Sequence, residues 1–366
     1  MGVTLSKRFR RTTIGITKGI KLRTVEMARG IAATMVVLFH ANASADEFGG
    51  PAPGWLSFGE HGVDFFFVLS GFIIFAAHGD EIGEAKVGRS YLLKRGIRLL
   101  PLLWFVVLGW AALRAMMGLM PPLDVILRSM TLIPSLEPTL PNVAWTLRHE
   151  ALFYLFFLVL LIRPAFGKAL FALWFFAAAL QLVLTLLGRP VTGVPSFFLS
   201  SFALDFLAGI LVAVAHRGRA FSPTAMPLFL AIVALIIAFI VQQHFGIKRT
   251  GLSDYVSIAA EYWTLLLGLL FAFLLHGLLR IEKRWHVPEW LVVLGGASYA
   301  IYLVHTIANS LLQRIAIGLP STLIAWGVGH MVLLLGGVMV GIIVHFLFEK
   351  PVTKALRTRL LPRVAP

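Results

Sequence analysis

Long apolar stretches alternate with short polar segments along almost the whole chain. Most of them have the length, about 20 residues, that a helix needs to cross the hydrocarbon core of a bilayer. The pattern therefore predicts an all-α, polytopic membrane protein with about ten transmembrane helices. The predicted spans lie near residues 25–41, 61–78, 99–118, 147–162, 169–187, 199–216, 226–244, 256–279, 290–312 and 322–348.

Composition agrees with a chain whose main solvent is lipid. Of its 366 residues 58% are hydrophobic and only 13% are charged, whereas about 25% of the residues of a soluble domain are charged. The net charge of +15 would suit nucleic acid, but the basic residues alternate with apolar runs of spanning length. We interpret them as a topology signal and predict no nucleic-acid partner. The chain has no cysteine, which excludes disulfides, cysteine-ligated metals and cysteine thioesters, and no metal site is predicted.

The distribution of basic residues predicts the orientation. A cytoplasmic N-terminus places about 25 of the 32 Lys and Arg residues on the inner side of the membrane, as the positive-inside rule requires. With an even number of spans, both termini are then cytoplasmic. The predicted organisation is a basic N-terminal tail at 1–23, a transmembrane domain at 24–349 and a basic C-terminal tail at 350–366.

The first predicted span carries two ionisable groups that face the same way. Arg29 and His40 are eleven residues apart, so they lie on one helix face about 16 Å from each other, and Glu26 extends the same stripe. Ionisable groups inside spans are costly and usually functional. The alternative is a structural histidine at a helix end and an arginine that snorkels to the interface.

The second predicted span brings a carboxylate close to that histidine. Asp64 lies near its outer end, at about the predicted depth of His40. A carboxylate can fix the tautomer of an imidazole and raise its basicity, so an Asp–His pair is one interpretation. The other is that Asp64 caps its own helix. Ser70 and Gly71 favour close helix packing.

An inner loop before the third span contains two arginines one helical turn apart. Arg95 and Arg98 can converge on a phosphate, as a cytoplasmic donor that carries phosphates would require. Lys86, Arg89 and Lys94 are interpreted as ordinary positive-inside anchors. An anchoring role is the alternative for the two arginines as well.

The fourth predicted span places three polar side chains on one face. Thr146, Glu150 and Tyr154 follow each other at a spacing of four residues. Glu150 enters the membrane from the outer side, so it is expected at about the depth of His40 and Asp64.

Further polar residues flank these groups. Arg148 and His149 are interpreted as interfacial. Ser298, Tyr302 and His305 share a seam of the ninth span, and packing is the favoured role for Ser298.

Taken in chain order, these features resemble the acyltransferase-3 family of bacterial membrane O-acyltransferases, and within it the exopolysaccharide-modifying members. The resemblance covers nearly the whole chain. It rests on the Arg29-to-His40 spacing, the Gly62–Phe72 run, Arg95 and Arg98 followed by Pro101, Trp145 to Glu150 with Tyr154, Ser298-Tyr299 to His305, and Glu349-Lys350-Pro351. Thr146 departs from the pattern that the resemblance implies, because it stands where many members of the family have Ser. We therefore do not assign it as a nucleophile.

The resemblance implies transfer of an acetyl or other short acyl group from cytoplasmic acyl-coenzyme A to a hydroxyl of a carbohydrate or lipid-linked sugar, in a bacterial inner membrane. No permanently bound cofactor is expected. The resemblance implies that His40 is the catalytic imidazole with Arg29 as its companion, and that Arg95 with Arg98 binds the donor. Our own hypothesis is that Asp64 or Glu150 orients His40. The sequence leaves open whether the acyl group passes directly to the acceptor or is first held on His40 or another group. The residues expected to line the site are Glu26, Trp145, Thr146, Tyr154 and His305.

A secondary transporter or flippase of a lipid-linked sugar is the rival prediction. In such a protein His40, Asp64 and Glu150 would form a proton relay. That reading gives no particular reason for paired arginines at a cytoplasmic entrance.

Overall fold

The computed structural model describes residues 22–217, 221–247 and 258–361, and this part of the chain is helical with no β-strand. The α-helices are α1 Arg23–Ala43, α2 Gly62–His78, α3 Gly88–Met116, α4 Leu123–Thr131, α5 Trp145–Ile162, α6 Pro164–Leu186, α7 Val194–Phe198, α8 Phe202–His216, α9 Met226–Phe245, α10 Ile258–Ile281, α11 Glu289–Gly296, α12 Ser298–Ile317, α13 Ser321–Ala325, α14 Val328–Val344 and α15 Lys350–Leu360. Short 3₁₀ turns join several of them.

The predicted number of spans is confirmed by the lengths and composition of these helices. Among the described residues, nine helices are long and apolar enough to cross a membrane, and a tenth span forms if the bent pair α11 and α12 is taken as one. Most of the N-terminal tail, 1–21, and the last residues, 362–366, lie outside the described part. The cytoplasmic placement of both termini stays a prediction.

Cysteine labelling tests that orientation, since the chain has no cysteine of its own. Ala52→Cys lies in an exposed loop after α1, and Lys86→Cys lies in an exposed turn before α3. We expect a membrane-impermeant maleimide to label Ala52→Cys in intact cells and Lys86→Cys only after permeabilisation. The opposite pattern would invert the topology.

The ninth predicted span is not a straight helix, which corrects the sequence prediction for 290–312. α11 and α12 meet at an angle of 68°. The break follows Gly295 and Gly296, and glycine is the residue that best tolerates such a bend. At Gly295 a Cβ atom would lie 1.8 Å from the carbonyl oxygen of Glu26, so only glycine allows α11 to pack backbone to backbone against α1.

Residues 350–360 also differ from the prediction of a separate C-terminal tail. A π-helical turn, His345–Glu349, joins α14 directly to α15, and π-helical turns are common at functional sites. Residues 350–360 are therefore a helical extension of the last span, and α15 packs against α3.

Close helix contacts determine which faces point inward. α2 and α8 cross where a Cβ on Gly71 would lie 2.1 Å from the carbonyl oxygen of Phe206, and one on Gly209 would lie 1.9 Å from that of Val68. Phe206 also stacks on Phe153 of α5, with ring centroids 4.4 Å apart. The aromatic core thus holds α2, α5 and α8 together and leaves the Ser70 side of α2 facing a cavity.

Candidate active site

A cavity of about 230 Å³ lies between α1, α2, α3, α5, α12 and α15. Six of the residues predicted to form the site line it: Arg29, Arg95, Arg98, Thr146, Glu150 and Tyr154. Lys94, Ser70, Ser298, Tyr299, Tyr302 and Arg357 complete its polar lining. The helical periodicity of three separate spans therefore brings the expected side chains to one place.

Two of the arginines in this cavity are paired with carboxylates. The Arg29 guanidinium lies 3.3 Å from both carboxylate oxygens of Glu26, one turn earlier on α1. Arg98 donates to Glu349, which is almost fully buried and also bonds to His345 Nδ1 at 2.7 Å. A buried carboxylate needs such partners. Glu26 itself is outside the lining and acts on it through Arg29.

Arg95 has a different environment from Arg98. Its guanidinium carbon lies 5.7 Å from the ring centroids of both Tyr91 and Tyr154. Within the described residues it has no ion pair, and its Nε is buried without a hydrogen-bond partner. Aromatic faces attract a cation but do not neutralise it, so Arg95 keeps a charge available to an anion.

The carboxylate of Glu150 is held on one wall of the cavity. Ser70 Oγ donates to Glu150 Oε1 at 3.1 Å, and the Tyr154 hydroxyl donates to the same oxygen. The sequence predicted the shared face of Glu150 and Tyr154. It assigned Ser70 to packing, whereas the structure adds a hydrogen bond to the carboxylate.

The hydroxyl of Thr146 is occupied by hydrogen bonds within the protein. Its hydroxyl lies 2.9 Å from the Tyr302 hydroxyl and 3.1 Å from the carbonyl oxygen of Val143, and the Tyr302 hydroxyl is 2.9 Å from the same carbonyl. These bonds join α5 to α12. The arrangement suits a structural threonine and agrees with leaving this position unassigned as a nucleophile.

His40 lies beside the cavity and not among its lining residues. Its partly buried ring is next to His305 of α12, with centroids 5.1 Å apart. His305 in turn lies 6.1 Å from the ring of Tyr302, which does line the cavity. A short series of aromatic contacts thus links the predicted catalytic imidazole to the pocket that contains the arginines.

His305 is fully buried and has an asymmetric environment. Its Nδ1 lies 3.1 Å from the carbonyl oxygen of Ile301, so an N–H on Nδ1 donates there. Its Nε2 is buried with no hydrogen-bond partner in the described part of the chain. The neutral ring therefore presents a lone pair at Nε2.

Asp64 has a described partner that the sequence did not suggest. Its Oδ2 lies 3.1 Å from Nδ1 of His61, and His61 Nε2 lies 3.0 Å from Oε1 of Gln242. Trp263 Nε1 donates to the same amide oxygen at 3.0 Å. This buried network ties α2 to α9 and α10. The signal was available in the spacing, because His61 precedes Asp64 by one helical turn.

The interfacial interpretation of Arg148 and His149 is wrong, because both side chains are buried. Arg148 donates to the carbonyl oxygens of Ser135 and Glu137, at 2.8 and 2.6 Å, and so holds the loop between α4 and α5 against α5. The His149 ring stacks on Phe197 at 4.0 Å.

Trp145, expected in the site, packs against aromatic side chains and does not line the cavity. Its ring contacts those of Phe202 and His149, with centroids 5.5 and 5.9 Å away. In the part of the chain that the structure describes, no group of three His, Asp or Glu side chains is arranged to hold a metal ion.

Comparison with known proteins identifies the class. The model of the acyltransferase-3 family, described as an acyltransferase domain, matches residues 22–349. The chain belongs to this family and is a multi-pass membrane acyltransferase, as the resemblance of its motifs indicated.

One curated relative is the exopolysaccharide production protein ExoZ of Rhizobium meliloti (strain 1021). It is 27% identical over 320 residues, which cover 82% of this chain and 92% of that protein. No solved structure matches the chain.

Proposed function

We propose that this acyltransferase moves an acetyl or other short acyl group from cytoplasmic acyl-coenzyme A to a hydroxyl of an exopolysaccharide, or of its lipid-linked precursor, in a bacterial inner membrane. The observation that carries the proposal is a membrane cavity lined by five cationic side chains and one carboxylate, beside two neighbouring imidazoles. The name of the relative in Rhizobium meliloti supports the choice of acceptor.

The donor suits the charge of the cavity. Coenzyme A carries a diphosphate and a ribose phosphate, and guanidinium groups bind phosphate through paired, charge-assisted hydrogen bonds. In the proposed pose these phosphates lie at the inner end of the cavity, near Arg95, and the pantetheine arm runs past Arg29 towards His40. Acyl-coenzyme A is a substrate here and leaves as coenzyme A.

The proposed transfer is direct. One nitrogen of His40 removes the proton from the acceptor hydroxyl while its oxygen attacks the thioester carbonyl. When the tetrahedral intermediate collapses, the carbon–sulfur bond breaks, the acyl group stays on the acceptor oxygen, and the proton passes from His40 to the departing sulfur. General base catalysis of this kind contributes about 10²–10⁴ in rate.

A group must hold His40 in the productive tautomer, and His305 is the better placed one. Asp64 is engaged with His61, and Glu150 with Ser70 and Tyr154. His305 lies next to His40 and presents an unpartnered Nε2. In the proposed active form, an N–H of His40 donates to this nitrogen, which leaves the other nitrogen of His40 free to act as the base.

Replacement of Arg95 tests the donor site. We expect Arg95→Gln to raise KM for acetyl-coenzyme A by about tenfold or more, because one charge-assisted phosphate contact contributes about 1.5–3 kcal/mol. The measurement is initial-rate kinetics of coenzyme A release by purified protein in lipid nanodiscs. Arg163→Gln, at the exposed inner end of α5, is the matched control and should leave KM unchanged. An unchanged KM in Arg95→Gln would remove the assigned role.

The transporter alternative has a different signature. Purified acyltransferase should release coenzyme A only when an acceptor glycan is present, and mass spectrometry should find the acyl group on that glycan. Movement of a lipid-linked sugar or of protons without coenzyme A release would favour the transporter and contradict the enzyme.

A further inference from the structure

The five cationic side chains of the cavity fall into two groups. Arg29 and Arg98 are each bonded to a carboxylate. Lys94, Arg95 and Arg357 also line the cavity, yet none of the three has an ion pair with any described residue. The one carboxylate in the lining, that of Glu150, offsets only part of these three positive charges, so the pocket favours a ligand with several negative charges.

Arg357 comes from a part of the chain that the sequence assigned to a tail. It lies on α15, eight residues after Glu349, which places it a little more than two helical turns, or about 12 Å, further along. α15 packs against α3, the helix that carries Lys94 and Arg95. The last helix therefore forms part of the cavity wall.

The bond between Arg98 and Glu349 explains how α15 is placed. Glu349 ends the π-helical turn just before α15, and its carboxylate accepts a hydrogen bond from Arg98 of α3. This contact joins two segments 251 residues apart in the chain. Arg98 thus positions α15 and is less free than Arg95 to bind a ligand.

An ordinary membrane anchor does not account for Arg357. α15 carries four basic residues, Lys350, Lys354, Arg357 and Arg359, as the positive-inside rule allows. Only Arg357 of these four lines the cavity. The guanidinium is exposed as well as close to the pocket, so a ligand can reach it without displacing a protein partner.

We propose that Lys94, Arg95 and Arg357 form a phosphate-binding subsite for the nucleotide end of the acyl donor, with its diphosphate and its ribose phosphate, and that Arg98 with Glu349 positions this subsite. The inference rests on the proposed function and adds the C-terminal helix to the donor site. Two guanidiniums and an ammonium match the several phosphate oxygens of such a nucleotide.

The experiment compares three donors on purified full-length protein: acetyl-coenzyme A, acetyl-3′-dephospho-coenzyme A and S-acetylpantetheine. We expect Arg357→Gln to raise KM for acetyl-coenzyme A by about tenfold while kcat changes less than about twofold, since the contact is equal in the bound and transition states. KM for S-acetylpantetheine, which has no nucleotide, should not change. Arg359→Gln, on the same helix but outside the cavity, is the control and should behave as the unaltered protein.

A second set of variants separates the binding of phosphate by Arg357 from the positioning of α15 by Glu349. Arg357→Lys should keep part of the affinity, because the charge remains while the paired hydrogen bonds are lost. Glu349→Gln should lower the melting temperature and raise KM, because α15 loses its anchor, whereas Arg357→Gln should leave the melting temperature unchanged. Equal KM changes for all three donors in Arg357→Gln, or no change for acetyl-coenzyme A, would overturn the subsite.

Direct binding keeps this inference distinct from the proposed reaction. Calorimetry with coenzyme A alone should show weaker binding to Arg357→Gln than to Arg359→Gln. If the unaltered protein binds coenzyme A through Arg357 but acylates no acceptor, the subsite stands and the proposed reaction fails. If the unaltered protein acylates a glycan, but Arg357→Gln binds coenzyme A as tightly as Arg359→Gln does, the proposed reaction stands and the subsite fails.

Discussion

His40→Ala is expected to lower the rate of coenzyme A release by about 10²–10⁴-fold, which is the contribution of a general base. In the proposed mechanism no other group removes the proton from the acceptor hydroxyl. Because His40 lies beside the cavity and not in its lining, KM for the donor should change little. Discontinuous thiol assays on purified protein, with an acceptor glycan at a fixed concentration, give kcat and the KM for the donor.

The control for this variant is another histidine. His244, exposed at the end of α9, should tolerate alanine without loss of turnover. Thermal unfolding is measured for both variants to show that each keeps its fold, since the described contacts of the His40 ring are with Phe39 and His305. Retention of full turnover in His40→Ala with an intact fold would refute its role as the base.

The number of spans could be predicted because bilayer thickness fixes the length of an apolar helix. The break between α11 and α12 could not. It depends on the approach of Gly295 to the backbone of Glu26, a contact between segments that are remote in the chain. Glycine pairs within apolar runs occur elsewhere in this sequence, at Gly336 and Gly337, where α14 continues without a break. Tertiary contacts therefore decide which pair bends.

The cavity residues were predictable for a similar reason. The spacing of Arg95 and Arg98, and that of Thr146, Glu150 and Tyr154, follows the helical period, and each set does face the cavity. Periodicity gives the face of a helix but not the neighbour that it meets.

The tertiary partners of these residues could be identified only from the three-dimensional structure. The motif ending at Glu349 was visible in the sequence without any sign that Arg98, 251 residues away, is its partner. The same holds for His40 and His305, which belong to the first and ninth predicted spans. Asp64 has a close local partner, His61, that was overlooked in the sequence, and its expected pairing with His40 stays a prediction.

Changes at His305 should affect the rate of transfer more than donor affinity. We expect His305→Phe, which keeps a ring in the buried site, to lower kcat by about 10- to 100-fold, because His40 loses the acceptor that fixes its tautomer. His305→Gln should recover part of the rate, since its amide oxygen can accept the same N–H. Steady-state kinetics with saturating acetyl-coenzyme A measure the effect.

A purely structural role for His305 predicts a different result. His330→Phe is the matched control, because His330 is also buried with an unpartnered Nε2 but packs against Phe48, outside the site. If both phenylalanine variants lower the melting temperature equally and neither displaces the pH profile of kcat, His305 only packs. A displaced profile in His305→Phe alone, with partial rescue by glutamine, is the outcome that a positioning residue requires. The function of the unpartnered Nε2 of His305 is then to accept a hydrogen bond from the ring N–H of His40.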